Sequence, residues 1–163
     1  MSDNCPNSMV SISREHIIQC LMEKAKNEIS GTKRGLDQGY QDTEIFVYTF
    51  IAFEAFTCLR YNLSSPGQRN KAFCNGFKDV YIRDFNTLPD ECKDAILELS
   101  RHSIPDMSPG GRSRPKTIHN LRDLTQVIDS IYRVRCNLFH GGKDINEIGD
   151  IALISAAGKA LYY

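Results

Sequence analysis

Three absences narrow the reading first. The chain has no C-x2-C pair, no net charge and no apolar run long enough to cross a bilayer. Its six cysteines are Cys5, Cys20, Cys58, Cys74, Cys92 and Cys136, and their scatter argues against both a zinc knuckle and a secreted disulfide framework. They read as reduced thiols in a cytoplasmic protein. Lys plus Arg equals Asp plus Glu at 20 each, so no bulk field pulls the protein toward nucleic acid or membrane. Any polyanion binding must come from local charge asymmetry, and a near-zero net charge also favours self-association. The opening residues, MSDNCPNSMVSI, lack the apolar centre of a signal peptide. The most apolar stretch, Ile45 to Leu59, is interrupted by Thr49, Glu54 and Thr57 and falls short of the roughly 20 apolar residues that a membrane span requires. No P-loop, internal repeat or long low-complexity segment is present.

What is there reads as helices throughout. The 163 residues, 41% of them hydrophobic and 25% charged, suit one globular domain. Residues 1–12 read as a flexible arm and 13–163 as a single helical domain whose core spans 43–163. Ser13 can cap a first helix to about Ile29. A connection over 30–39 follows, with Gly31, Gly35 and Gly39. Thr43 can cap a second helix to about Asn62; it is apolar nearly all round and belongs at the centre of a bundle. A third helix over 68–85 carries Ala72, Phe73, Phe77, Val80 and Tyr81 on one side. A fourth opens near Pro89 and ends near Arg101. A Pro- and Gly-rich loop, IPDMSPGGRSRPKTI, should be exposed and mobile. Asn120 can cap a fifth helix that stops at Gly141-Gly142, and Asp144 a sixth through Leu161. The fold class expected is an all-α bundle of five to six helices.

The fifth helix carries an irregularity. Leu124, Ile128, Ile131, Arg135 and Leu138 fall on one stripe, with an arginine where leucine is expected. An unpaired charge facing a core is costly, so Arg135 needs a partner or an opening to water. Glu54, on the apolar second helix, is the obvious ion-pair candidate. A structural Arg135–Glu54 pair, or an arginine snorkelling from the edge of the stripe, would satisfy the pattern without any function.

Around that arginine the sequence runs RCNLFHGGK, Arg135 to Lys143. It resembles the signature of the HEPN superfamily, an arginine followed after a few residues by a histidine near a helix end. The resemblance extends to an aromatic-rich earlier helix (FIAFEAF, Phe50 to Phe56) and to the two helices flanking the motif. A second Arg–His pair, Arg114 and His119, lies in the Pro-rich loop and lacks that helical context.

The resemblance implies a self-associating helical domain in which motif residues of two subunits share a cleft. It also implies either a metal-independent, cofactor-free endoribonuclease, of the toxin–antitoxin or defence kind, or a non-catalytic binding module. An antitoxin or a nucleotidyltransferase would be a fitting protein partner. The residue types suit RNA cleavage through its own 2′-hydroxyl. Histidine exchanges protons near neutrality, and the arginine fork matches phosphate oxygens that gain charge in the transition state. His140 is then the general acid or base and Arg135 the phosphoryl stabiliser, with Asn137 positioning phosphate or orienting His140. Lys143, Arg112, Arg114 and Lys116 are candidate RNA-phosphate contacts. The last three belong to a segment, residues 101–122, with five cations and one anion, although a basic loop can equally be a solvated surface.

On a regular helix, positions five apart diverge by about 140°. Arg135 and His140 therefore converge only through unwinding at Gly141, through the reach of the arginine, or through a partner subunit. Tyr132 and Phe139 read as packing rather than base-stacking residues, and His16 and His102 as surface residues.

Overall fold

A computed structural model describes residues 13–30, 36–106, 113–139 and 148–163. Among them are six α-helices: α1 (Arg14–Ser30), α2 (Leu36–Tyr61), α3 (Pro66–Asp84), α4 (Asp90–Ser100), α5 (Leu124–Phe139) and α6 (Ile148–Tyr162), with a 3-10 turn at Phe85–Thr87. The protein is an all-α bundle. None of the described helices is long and apolar enough to cross a membrane.

The helix starts follow local chemistry with one exception. Ser13 Oγ accepts the backbone N–H of His16 at 3.2 Å and caps α1, and Pro66 occupies the first turn of α3, where its missing N–H is harmless. The exception is α2, which begins at Leu36 rather than at Thr43. Thr43 Oγ1 instead donates to the Gly39 carbonyl one turn back at 2.8 Å, as an interior helix residue does. Packing on α1 supports the extra turns: Gln41 is buried and its side-chain amide donates to the Glu28 carbonyl of α1. Tertiary contact here outweighs the poor helix propensity of Gly39. At its other end α2 stops at Asn62, whose φ of 45° is left-handed and breaks the helix.

The helix α2 is the hub, packing against α1, α3 and α6, while α6 also meets α4 and α5, and α5 lies on α3. The core joins Phe46 and Phe50 of α2 to Ile96 and Leu99 of α4, Ile128, Ile131 and Val134 of α5, and Ile154 and Ala157 of α6. Where α6 crosses α2 the backbones nearly touch. A Cβ on Gly158 would lie 3.2 Å from the Cα and N of Phe46, so only glycine fits without a shift. Val80, placed by sequence on the apolar side of α3, is exposed.

Two expectations near the fifth helix change. Its start is Leu124, with Asp123 as cap: Asp123 Oδ1 accepts the N–H groups of Thr125 and Gln126 at 2.9 and 3.3 Å. Asn120 instead holds the preceding turn, accepting from Arg122 N at 3.0 Å. The Pro-rich loop is pinned at both described ends rather than exposed throughout. Ile104 and Lys116 exchange backbone hydrogen bonds of 2.8 and 2.9 Å, and Ile104 and Ile118 are buried in the core cluster. Two β-branched residues flanking the proline and glycine run supply apolar area to the core, and their burial fixes the ends of the loop. Asp144 and residues 1–12 lie outside the described residues.

Candidate functional site

The buried face of α5 comprises Leu124, Val127, Ile128, Ser130, Ile131, Val134 and Asn137. Arg135 lies one step round from Val134, at the edge of that face, and is half-buried. The expected Arg135–Glu54 ion pair is not formed, and among the described residues no carboxylate pairs with Arg135. Aromatic rings surround the guanidinium instead. Its Cζ lies 4.9 Å from the ring centre of Phe139, 5.6 Å from Phe50 and 6.0 Å from Tyr132. Phe50, one turn before Glu54 on α2, takes the place facing α5 and packs on Tyr132 at 6.2 Å.

Each such contact is worth about 0.5–2 kcal/mol and attracts the cation without neutralising it. Nε is buried with no hydrogen-bond partner among the described residues, while the residue as a whole is half-buried. Burial holds the Tyr132 hydroxyl above its ordinary pKa range; Arg135 pulls it back and Glu54 pushes it further up. Glu54 thus belongs to the electrostatic surroundings of the site without binding the arginine.

Asn137 was expected to position phosphate or to orient His140; the second role falls outside the described residues, and the first does not fit its burial. It is fully buried, and its Nδ2 donates to the Pro105 carbonyl at 2.9 Å. A buried amide committed to a loop carbonyl ties α5 to the chain leaving α4 and is not a surface contact for phosphate. One turn earlier, Arg133 Nη1 meets Asp106 Oδ1 at 2.6 Å, with side chains only 12% and 9% exposed. Sequence reasoning counted Asp106 merely as the one anion of a basic loop and gave Arg133 no role. The i, i+4 spacing of Arg133 and Asn137 was the available clue, since it points both side chains at one neighbour.

The loop cations divide. Lys116 is taken by Asp129, Nζ to Oδ2 at 2.6 Å, which reduces its value as a phosphate contact. Arg114 is exposed and has no ion-pair partner among the described residues. His140, Lys143 and Arg112 lie outside the described residues. Phe139, expected to pack, is 56% exposed. A cavity of about 640 Å³ opens elsewhere, between α4 and α6, lined by Glu91, Asp94, Glu98 and Lys159. It contains none of the described motif residues.

Searches against protein-family models, curated proteins and solved structures find no match for this chain.

Proposed function

We propose that the chain is a metal-independent endoribonuclease of the HEPN kind. It acts as a homodimer and cleaves RNA by attack of a 2′-hydroxyl on the adjacent phosphorus: the new bond closes a 2′,3′-cyclic phosphate, the bond to the 5′-oxygen breaks, and that oxygen leaves as a 5′-hydroxyl with a proton. Arg135 steadies the phosphoryl oxygens as they gain charge, and His140 moves the proton. The observation that supports this reading most is the state of Arg135: half-buried, held by three rings and unmatched by any carboxylate among the described residues. An arginine kept for stability is usually neutralised, because an unmatched charge at a core edge costs free energy. One left unneutralised is ready for an anion. Asn137, buried and bonded to the Pro105 carbonyl, anchors the end of α5 that carries His140.

The experiment is RNA cleavage by the purified chain and by His140→Ala, with circular dichroism as the folding control. Cleavage should fall by roughly 10²-fold or more in the variant while helicity persists. Absence of cleavage in the parent protein, or equal cleavage by the variant, ends the nuclease reading.

A second reading draws on the Lys116–Asp129 pair and the burial of Asn137, which remove two polar groups from the expected RNA contacts. Under it the domain is a non-catalytic module that binds RNA, a nucleotide or a protein such as a nucleotidyltransferase. RNA binding without cleavage is its signature in the same experiment.

A further inference from the structure

Large apolar side chains left in water call for an explanation when they stand beside a charged group. Phe139 closes α5 with more than half its surface exposed, and among the described residues it is the sole strongly exposed large hydrophobic of that helix. It lies one turn after Arg135, on the same face, with its ring centre 4.9 Å from the guanidinium carbon. Phe50 and Tyr132 also border the guanidinium, and its Nε is sealed. Phe50 belongs to the core and Tyr132 is partly buried against it, so the ring bordering the guanidinium that meets water most is Phe139. An anion on the Nη groups would therefore have a free aromatic surface at its side.

We infer that Phe139 is a stacking platform for an unpaired nucleobase adjoining the phosphate that Arg135 holds. The inference rests on the proposed nuclease reading for the identity of the polymer. A phosphate with an unpaired base beside it offers an anion and an apolar plane in close succession, matching a guanidinium next to a ring. A duplex offers the phosphate alone, because its bases are stacked on one another and paired. An isolated ring also suits a planar base better than it suits a second copy of the chain, since a helix seam would need further exposed apolar positions along α5.

The test uses the full chain, Phe139→Ala and Phe139→Trp. Each binds a short 2′-O-methyl RNA that resists cleavage, as a single strand carrying 2-aminopurine and as the matching duplex. The expected result is a loss of single-strand affinity of about 5- to 150-fold in Phe139→Ala, retention in Phe139→Trp, and little change for the duplex. Quenching of the 2-aminopurine should disappear with the ring. Failure of the parent protein to bind the single strand overturns the inference. Unchanged single-strand affinity in Phe139→Ala also overturns it, as does equal weakening of both nucleic acids. A shift in sedimentation of Phe139→Ala with base quenching intact assigns the ring to contact between copies and overturns it as well.

The two readings can fail separately. Phe139-dependent binding without cleavage by the parent retires the nuclease and keeps the platform. Cleavage indifferent to Phe139 retires the platform alone.

Discussion

Arg133 and Arg135 stand two residues apart on the same helix and have opposite fates. Arg133 turns toward the chain leaving α4 and is matched by Asp106 at 2.6 Å with both side chains nearly out of water. Arg135 turns toward α2, where it meets rings, and among the described residues no carboxylate answers its charge. The contrast teaches that burial alone does not classify an arginine. The partner does: a carboxylate closes the site, whereas aromatic faces hold the guanidinium while leaving its charge for another anion.

The contrast can be broken by substituting each arginine in turn. In Arg135→Ala, RNA cleavage should fall by roughly 10²-fold or more, in line with losing a group that answers transition-state charge. The same change should lower the unfolding free energy by only about 2 kcal/mol, because three contacts to one half-exposed guanidinium each fall at the low, roughly 0.5 kcal/mol end of their range. Arg133→Ala should behave in the opposite way. It leaves the Asp106 carboxylate in a nearly dry place without its guanidinium, so urea denaturation should show a loss of about 3–5 kcal/mol. Cleavage by the protein that remains folded should change far less. Equal stability losses in the two variants would dissolve the distinction.

Smaller effects sharpen the account of the scaffold that holds the two arginines. Gly158→Ala should destabilise by about 1–3 kcal/mol, because the new methyl meets the α2 backbone at 3.2 Å. Thermal denaturation reads this directly, and a neutral or stabilising result would show that the α2–α6 crossing can yield.

A pH effect should come from Cys74, whose thiol burial pushes up from 9.0 to about 11. The folded state keeps the neutral thiol while the unfolded chain releases its proton first. Stability is therefore full below about pH 9 and declines as pH rises toward about 11. Tyr81, also pushed upward by burial and donating to the Leu121 carbonyl at 2.7 Å, adds to the same alkaline decline. Denaturation midpoints measured across that range should fall, and more shallowly in Cys74→Ala; identical profiles would remove Cys74 as a cause.

Much of the fold was legible because apolar periodicity and stop signals are local. The fourth helix was expected between Pro89 and Arg101, and its apolar residues at helical spacing, Cys92, Ala95, Ile96 and Leu99, are all buried. The start of α2 was missed because Gly39 and Thr43 look like punctuation until α1 is packed against them. Arg135 was legible as an anomaly on a stripe, but its partner was not. Whether Glu54 or Phe50 meets it depends on how α2 is rotated and shifted along α5, which no single segment encodes. The same limit hid the Arg133–Asp106 pair, whose members are 27 positions apart in the sequence, and the loop carbonyl that Asn137 serves. Phe139 was assigned to packing on composition; its place at the last residue of α5 puts it past the core.

The most direct measurement of whether Arg135 is held open for an anion is the salt dependence of binding to a non-cleavable RNA, for the parent chain and for Arg135→Gln. The expected result is weaker binding by the variant and a log–log salt slope reduced by about one, the mark of one lost phosphate contact. Equal affinity and equal slope would contradict the account and leave Arg135 as a structural residue of the bundle.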